Sequence, residues 1–451
     1  MRFRFPMTVS ALLAGLALLV PGAAVAAETT PVAVDGCNSV LSGVMGGQVP
    51  SSEPLAPCQW DMLQINATTS GSQSVATGKG VKVGIIDSGV DITHPDIAPN
   101  LNLALSCSFI YDSTPTAAPQ DVGNGDCSNK VAVQDLVGHG THVASIVAAP
   151  INGIGIAGVA PEATIVALKA CTMAGYCFVD SVAAALRYAG DQKLDVVNLS
   201  LFADPYLYYC GNDATERALY KQMRDAAKYA QQRGVVIVAA AANESADLQH
   251  PYYDWYSPDY PAPPDDPRIV GNNCRVAPAE IPGVMTVSST GPFGIAAYSD
   301  VGMSVVNVAA PGGDLVTPEP DGDLTPPTSV LAAAPNPSEI FDQYDFFNGF
   351  VPGLTVENNG AYYMALDGTS MASPHAAGVA ALVRQMHPNW GSGAVIAAVE
   401  RSAQPLSCPG PGEPMVFDFR LGNQIVPCQG GNGRTSYFGH GLVDALAAAH
   451  Q

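Results

Sequence analysis

The stretch Val81-Lys82-Val83-Gly84-Ile85-Ile86-Asp87-Ser88-Gly89-Val90 decides the fold of this chain. Its mostly apolar residues up to position 86 are typical of a strand buried within a parallel sheet. Asp87 follows at the carboxyl end of that strand. In open α/β sheets the functional site assembles at the edge formed by the carboxyl ends of the strands. Asp87 is therefore the first candidate functional residue.

Apolar strands alternate with amphipathic helices from Gly80 onward. Strands are predicted at 81–87, 164–170, 194–200, 234–241 and 283–289, and helices at 139–149, 180–188, 214–232, 369–386, 392–402 and 441–450. Such alternation predicts an α/β fold with a doubly wound, mostly parallel sheet and helices on both faces. Surface insertions are predicted at 249–268, 314–328 and 340–350.

The beginning of the chain predicts export. Arg2 and Arg4 precede an apolar run at 7–20 and a small-residue stretch at 23–27, which together are typical of a removable secretory signal. Residues 28–58 are then predicted to form an N-terminal arm or short pro-segment, and residues 59–451 a single α/β domain. No later stretch reaches the roughly 18 apolar residues of a membrane span. We therefore expect a secreted, extracellular protein without a membrane anchor.

The overall composition limits the partners. Of the 451 residues, 47% are hydrophobic and 13% charged, which is enough apolar content for a folded core. The 19 basic and 40 acidic residues give a formal charge of −21. This charge repels phosphate backbones and anionic lipid surfaces. We expect a monomer that binds neither nucleic acid nor membranes.

Ten cysteines in an exported chain predict five disulfides, because the compartment outside the cytosol is oxidising. The spacing does not fix the connectivity, but it suggests pairs between cysteines that follow one another: Cys37–Cys58, Cys107–Cys127, Cys171–Cys177, Cys210–Cys274 and Cys408–Cys428. A zinc site is the alternative, but the sequence contains no C-x-x-C pair. A cysteine nucleophile has no better support.

Two glycine-flanked motifs add an imidazole and a hydroxyl. The stretch 138–144 (GHGTHVA) opens a predicted helix and places His139 at its N-terminus. The stretch 368–378 (GTSMASPHAAG) opens another helix, and Pro374 is expected in its first turn, where proline is tolerated. Ser370 would then lie beside unpaired backbone N–H groups and the positive end of the helix dipole, which stabilise a developing oxyanion.

An acid, an imidazole and a serine in this arrangement suit nucleophilic acyl transfer. Ser370 would attack, His139 would accept its proton, and Asp87 would orient the imidazole. Each residue has an ordinary structural explanation, since an aspartate often ends a strand and a serine often caps a helix. Three such positions at one sheet edge favour the catalytic interpretation.

With these motifs the chain resembles the subtilases, the subtilisin-like serine peptidases, from about Gln59 to the C-terminus. The resemblance implies a subtilisin-like peptidase domain that hydrolyses peptide bonds of protein or peptide substrates through an acyl-enzyme, without a catalytic cofactor. It implies that Asp87, His139 and Ser370 form the triad. The run 235–243 resembles the oxyanion segment, which makes Asn243 the side-chain donor alongside Ser370. His142 corresponds to a structural histidine.

Two departures from the family bear on specificity. The family has a Ser-Leu-Gly strand that pairs with the substrate backbone, whereas here Ser200 and Leu201 are followed by Phe202. It also has a glycine before the oxyanion asparagine, where this chain has Ala242. Both added side chains predict a narrower pocket for the residue before the scissile bond, and hence restricted specificity. The alternative is that the strands have moved apart to compensate.

Two further departures concern the arm and a metal. The 30 or so residues after the predicted signal are too few for the family's folding propeptide. Asp96, Asn152 and the loop 150–156 resemble the family's structural calcium site, with the hard oxygen ligands that calcium prefers. The expected N-terminal glutamine ligand is replaced by Ala56. A structural calcium ion is therefore an open expectation.

Competing functions are less well supported. A zinc pair of His139 and His142 lacks the H-E-x-x-H spacing, and an α/β-hydrolase would need G-x-S-x-G, which is absent. A catalytically silent binding module on a protease scaffold remains the alternative to an enzyme. An intact triad with an oxyanion asparagine argues against it, and labelling by a serine-directed fluorophosphonate would separate the two.

Overall fold

The computed structural model describes residues 48–314, 328–336, 355–418, 424–431 and 433–451. The predicted signal peptide and most of the predicted arm lie outside the described residues. So do nearly all of the predicted insertion at 314–328 and the whole of the one at 340–350.

Helices and strands alternate along most of the described chain. The helices are α1 Trp60–Gln64, α2 His139–Ala148, α3 Val179–Asp191, α4 Ala214–Gln231, α5 Thr369–Met386, α6 Ser392–Ser402 and α7 Ala445–Ala449. None of these helices is both long enough and apolar enough to cross a membrane. The strands are β1 Lys82–Asp87, β2 Cys107–Ser108, β3 Thr164–Lys169, β4 Val196–Leu199, β5 Tyr208–Cys210, β6 Val236–Ala240, β7 Tyr253–Asp254, β8 Arg268–Ile269, β9 Cys274–Val276, β10 Met285–Gly291, β11 Gly294–Ile295, β12 Val308–Pro311, β13 Val330–Ala334, β14 Thr355–Asn358, β15 Ala361–Leu366, β16 Phe417–Asp418, β17 Gln424–Ile425, β18 Gly430–Gly431 and β19 Arg434–Thr435.

The main sheet of the described residues has eight strands, in the order β2-β3-β1-β4-β6-β10-β11, with β12 also paired to β10. Every pairing in it is parallel except that of β10 with β11. The register aligns Ile86 of β1 with Leu199 of β4, and Leu199 with Ala239 of β6. The carboxyl ends of these three central strands therefore meet at one edge.

Helices cover both faces of this sheet. Neighbouring residues of β3 point to opposite sides, because Ile165 belongs to one apolar core and Val166 to the other. The first core contains residues of α2, α5, α6 and α7, and the second contains residues of α3 and α4. The predicted doubly wound α/β fold is confirmed.

The five predicted strands and six predicted helices are all present, with shifted ends. The last helix was predicted to begin at Gly441, but α7 begins at Ala445. Gly441 has a φ of 129° and Leu442 hydrogen-bonds Gln404, so neither is helical. Asp444 caps the helix by accepting from the Ala447 N–H. The antiparallel sheet β13-β15-β14 was not predicted.

The last residues of the predicted arm pack into the domain. Leu55 is fully buried in the first core, and its N–H donates to the Gly155 carbonyl at 2.8 Å. In α1, Trp60 is buried and donates through Nε1 to the Ser329 carbonyl at 3.0 Å. The boundary predicted at residue 59 thus lies inside a packed segment.

Four of the five predicted disulfides are confirmed: Cys107–Cys127, Cys171–Cys177, Cys210–Cys274 and Cys408–Cys428. Cys58 is also disulfide-bonded, and its predicted partner Cys37 lies outside the described residues. No cysteine in the described part of the chain is free.

Candidate active site

A cleft of about 380 Å³ opens at the carboxyl ends of β1, β4 and β6. Side chains that follow these three strands line it, together with the first turns of α2 and α5. The lining includes each predicted member of the triad, Asp87, His139 and Ser370. It also includes all five of the other predicted substrate and oxyanion residues: Ser200, Leu201, Phe202, Ala242 and Asn243. The sheet edge therefore brings these residues together.

His139 and Asp87 form the central contact of the cleft. The imidazole Nδ1 lies 2.7 Å from Asp87 Oδ1, and the carboxylate is buried while the imidazole is partly exposed. Burial by itself would lower the pKa of His139, but the charge and hydrogen bond of Asp87 outweigh it and raise the pKa above 6.5. The Nδ1–H donor leaves Nε2 as the atom able to accept a proton.

Asp135 holds the beginning of α2, and sequence reasoning missed it. Its buried carboxylate accepts from the N–H groups of Val137, Gly138 and Thr141 at 2.9–3.0 Å. It also accepts from the Ser88 hydroxyl at 2.9 Å. Since these donors lie on both sides of His139, Asp135 fixes the imidazole relative to Asp87. The available signal was an acid four residues before the first residue of the helix, although the N-cap position itself is Gly138.

Ser370 is the second residue of α5. Its hydroxyl lies 3.2 Å from the Ser200 carbonyl, to which it donates. Ser200 is the first residue after β4, so the serine lies against one wall of the cleft. The helix N-terminus directs unpaired N–H groups and a positive partial charge towards this position.

Pro374 lies one turn deeper in α5 than predicted. It is the sixth residue of the helix, not a member of the first turn. Its missing N–H would have bonded the carbonyl of Ser370 in a regular helix. That carbonyl instead accepts from the Ser200 hydroxyl at 2.7 Å. The proline therefore ties the start of α5 to the end of β4.

Asn243 is held by Thr369, another residue that sequence reasoning did not single out. Asn243 Oδ1 accepts from the Thr369 N–H and from its hydroxyl, both at 2.9 Å. The carbonyl end of the amide is thus engaged, which orients the NH₂ end as a donor. The position of threonine next to the serine was the only sequence signal.

The two residues predicted to stand in place of family glycines behave differently. Ala242 has a φ of 98°, a conformation that favours glycine, so the backbone keeps the shape of a glycine-containing turn. Phe202 lines the cleft and also packs against a small apolar cluster around Leu207 and Leu248. Both added side chains therefore lie at the walls of the cleft.

The other two histidines of the motifs are structural. His142 is buried, and Nε2 contacts the Val330 and Met364 carbonyls at 3.2 and 3.0 Å. Burial, with the nearby His139, lowers the pKa of His142 to about 3, so it is neutral. His375 is buried in α5, and Nε2 lies 2.9 Å from the Asp61 carboxylate of α1. This pair connects the N-terminal segment to the helix that carries Ser370.

The loop predicted to hold calcium has hydrogen-bond donors where an ion would need oxygen ligands. Asn152 Nδ2 donates to Asp96 Oδ1 at 2.9 Å, and the Tyr363 hydroxyl donates to Oδ2 at 2.8 Å. The Ile156 N–H also donates to Oδ2. Asn152 Oδ1 accepts from the Ile154 N–H, which fixes the amide in this orientation. In this arrangement Asp96 and Asn152 do not fit a calcium ion, whose ligands are oxygens.

A fold of this topology with a serine, a histidine and an aspartate at its sheet edge defines a subtilisin-like peptidase. The family model of the subtilase family (Peptidase_S8) matches residues 78–441. The chain belongs to this family and is a serine endopeptidase.

Individual relatives agree with this assignment. The chain is 28% identical to M-protease of Shouchella clausii over 395 residues, which cover 86% of this chain and 69% of the relative. It is also 28% identical to Subtilisin Savinase of Lederbergia lenta, covering 86% and 97% of the two chains. Among solved structures, fervidolysin from Fervidobacterium pennivorans, a keratinolytic enzyme related to subtilisin, matches with a TM-score of 0.57 and 26% identity. That match covers 89% of this chain but only 46% of fervidolysin.

Proposed function

We propose that this peptidase cleaves its substrates with Asp87, His139 and Ser370 as a catalytic triad. His139 Nε2 takes the proton of the Ser370 hydroxyl as Oγ attacks the scissile carbonyl, and later gives that proton to the leaving amine. Water then hydrolyses the acyl-enzyme by the same route. Asp87 keeps Nδ1 protonated and stabilises the imidazolium. The observation that carries this proposal is the 2.7 Å contact of His139 with Asp87 in the cleft that contains Ser370.

The tetrahedral intermediate needs donors for its oxyanion. We assign this role to the Asn243 side-chain NH₂ and to the backbone N–H of Ser370. Asn243 is suited to it because Thr369 engages its carbonyl oxygen. Loss of one such donor costs about 100- to 1,000-fold in kcat, a range known from subtilisin rather than inferred from this chain.

Labelling and turnover together test the triad. We expect a fluorophosphonate probe to label the wild type but not Ser370→Ala, and both Ser370→Ala and His139→Ala to lose about 10⁶-fold in kcat, the scale known for subtilisin. Ser128→Ala, an exposed serine away from the cleft, is the matched control and should keep full activity. Near-normal peptidase activity in either triad variant would overturn the assignment. A properly folded wild type that the probe does not label would favour the silent binding module.

We further propose that the specificity is restricted. Phe202 and Ala242 add volume at both walls of the cleft, so large aromatic side chains before the scissile bond should be poor substrates. Ser200 and Leu201 would pair with the substrate backbone. The test compares peptides that differ only in Phe, Leu or Ala at that position, on the wild type and on Phe202→Gly combined with Ala242→Gly. If the double variant gains nothing on Phe or Leu relative to Ala, the narrowed pocket is ruled out.

Secretion and the monomeric state complete the proposal. The charged and apolar pattern of residues 1–27 supports export, and the confirmed disulfides suit an oxidising compartment. Mass spectrometry of the protein from culture medium should show an N-terminus after Ala27 or, if the arm is removed, nearer residue 58. Light scattering should give the mass of one chain. An N-terminus still at Met1 would contradict export by cleavage.

A further inference from the structure

Two carboxyl side chains line the catalytic cleft and have no role in the proposed mechanism. Asp204 lies two residues beyond Phe202 and is only 4% exposed. Asp259 comes from the insertion at 249–268 and reaches the same cleft from another part of the chain. The cleft that holds Ser370 therefore contains three acids besides Asp87, namely Asp204, Asp259 and Glu244.

The two carboxyl groups are close enough to share a hydrogen bond. Asp204 Oδ2 also accepts from the Cys177 N–H, whereas Asp259 Oδ1 is buried without a hydrogen-bond partner among the described residues. Burial and the neighbouring Asp259 raise the pKa of Asp204 well above its ordinary value. A buried carboxylate oxygen without a partner is costly unless a ligand supplies one.

The described part of the chain supplies no cation to this pair. None of its ion pairs involves Asp204 or Asp259. The insertion's single basic residue other than histidine, Arg268, is paired with Glu216 at 2.7 Å and with Asp254 at 2.8 Å. No lysine or arginine is among the described residues that line the cleft. The negative charge of the pair is thus left for a substrate to neutralise.

The surroundings of the pair are apolar and aromatic. The rings of Tyr176, Phe178 and Tyr260 pack on one another at centroid distances of 5.6–5.7 Å. Phe178 forms a backbone bridge with Asp204, and Tyr260 follows Asp259 in sequence. A long aliphatic side chain that ends in a cation suits such a site, because its stem packs on apolar walls while its charge meets the acids.

We propose that Asp204 and Asp259 make this peptidase select arginine or lysine as the residue immediately before the scissile bond. The proposal rests on the function proposed above. The position follows from the chain, because Asp204 continues the segment 200–202 and Asp259 lies in the same cleft as Ala242. These segments form the walls to which the proposed function assigns that side chain. The pair would act by direct contact and not through a long-range field.

Matched peptides test the selection. The wild type should cleave a peptide with arginine before the scissile bond about 30-fold or more faster, in kcat/KM, than the same peptide with the neutral isostere citrulline. A peptide with lysine at this position should exceed the same peptide with norleucine in kcat/KM by a ratio of the same order. Asp259→Asn and Asp204→Asn should each lose most of this preference, because their kcat/KM for the arginine peptide should fall towards that for the citrulline peptide. Asp266→Asn, an exposed acid of the same insertion outside the cleft, is the matched control and should keep it.

A small guanidinium probe gives a readout that needs no cleavage at arginine. Agmatine, an aliphatic guanidinium without an aromatic ring, should inhibit the wild type competitively, and Asp259→Asn should weaken this inhibition at least about 10-fold. Both effects should change little between low and high salt, because a contact pair inside a cleft is screened far less than a charged rim. A preference that Asp266→Asn also removes, or that high salt abolishes, would overturn the direct-contact proposal. So would equal cleavage of the arginine and citrulline peptides.

The two proposals fail in different ways. If the triad assignment is wrong, Ser370→Ala will still be labelled by fluorophosphonate and will still cleave peptides of any sequence. If only the selection is wrong, the wild type will be labelled and active but indifferent to charge before the scissile bond. Each asparagine variant should have the same melting temperature as the wild type, which confirms that the variant has folded.

Discussion

At the scale of single residues, His139 has opposing influences on its charge. Its environment is partly buried, which favours the neutral imidazole, while Asp87 and the more distant Asp135 favour the imidazolium. The acids prevail, so the resting histidine holds a proton more tightly than a free one. In the proposed mechanism the same preference helps the reaction, because the imidazolium would form when Ser370 attacks.

This balance predicts the pH dependence of the enzyme. The general base must be neutral, so kcat/KM should fall as the pH drops through the raised pKa of His139. We expect the acidic limb of the profile to have its midpoint above pH 6.5. Asp87→Asn should move the midpoint down and lower kcat about 10⁴-fold. A wild-type midpoint at or below 6.5, measured with a peptide free of ionisable side chains, would contradict the assignment.

Ala242 gives a second prediction at this scale. A non-glycine residue with a φ of 98° carries a steric cost of order 1–3 kcal/mol. Ala242→Gly should therefore raise the free energy of unfolding in urea by about 1 kcal/mol, after the greater freedom of glycine in the unfolded chain is deducted. Ala241→Gly is the matched control, since Ala241 is buried and is not among the residues with positive φ. It should lower stability by a similar amount, and the same sign for both variants would rule out strain at Ala242.

At the scale of elements, the site depends on how the ends of helices are held. Proximity to a strand end does not by itself fix an imidazole at hydrogen-bond distance from a carboxylate. Asp135 fixes the position of the imidazole, because its carboxylate accepts hydrogen bonds from backbone N–H groups on both sides of His139. At α5 the same function falls to Ser200, which bonds the carbonyl freed by Pro374.

Removal of the Asp135 carboxylate should therefore affect both stability and catalysis. We expect Asp135→Ala to lower the free energy of unfolding by about 2 kcal/mol, as for a lost helix cap. Asp135→Asn keeps part of the hydrogen bonding but loses the charge, so the acidic limb of its pH–rate profile should move to lower pH. A purely structural role would leave that limb in place. The profile and a urea titration of both variants decide between these outcomes.

The loop 150–156 predicts the response to calcium chelation. The Ile156 N–H, the Asn152 side-chain NH₂ and the Tyr363 hydroxyl already bind Asp96, so we expect folding to need no ion there. Calorimetry should give the same melting temperature with EDTA and with calcium-saturated EDTA. Tyr363→Phe should lower stability by about 1–3 kcal/mol, because it leaves a buried carboxylate oxygen short of a donor. A fall in melting temperature with EDTA alone would restore the calcium site predicted from sequence.

At the scale of the whole molecule, the disulfides close loops that lie outside the central strands. Cys171–Cys177 lies in the lining of the cleft, Cys107–Cys127 joins β2 to a later loop, and Cys210–Cys274 joins β5 to β9. Each cross-link restricts the unfolded chain more than the folded one. Cys171–Cys177 therefore stabilises a segment that builds a wall of the cleft.

We predict that the protein contains no free thiol. Mass spectrometry after alkylation without reduction should show no modified cysteine, and reduction should lower the melting temperature, since each bond contributes about 2–4 kcal/mol. Alkylation after reduction is the control that all ten cysteines can react. Two labelled cysteines at positions 37 and 58 would show that the arm is not cross-linked.

Much of the molecule could be predicted from sequence because its signals are local. A buried strand that ends in Asp87, and helices that begin at His139 and Thr369, are each specified within about ten residues. The parallel sheet then brings these positions to one edge without further information. The catalytic cleft follows from topology.

The rest depends on contacts between distant segments. Asp259 reaches the cleft through an insertion whose path no local pattern specifies, and Tyr363 fills the loop around Asp96 from a sheet that was not predicted. The start of α7 depends on Asp444, which accepts from the Ala447 N–H. The depth of Pro374 in α5 depends on Ser200, whose hydroxyl donates to the Ser370 carbonyl. Such pairings across the fold leave no periodic signal in the sequence.

The burial of Trp60 has an optical consequence. The three tryptophans of the chain are Trp60, Trp255 and Trp390, and of these only Trp60 is fully buried, on the segment that docks against α5. A buried indole emits at shorter wavelength than a hydrated one. The short-wavelength part of the tryptophan fluorescence therefore reports whether the segment that carries Trp60 is packed against α5. Asp61, next to it, binds His375, which lies five residues from Ser370, the proposed nucleophile. The emission wavelength therefore also reports on α5 without any substrate.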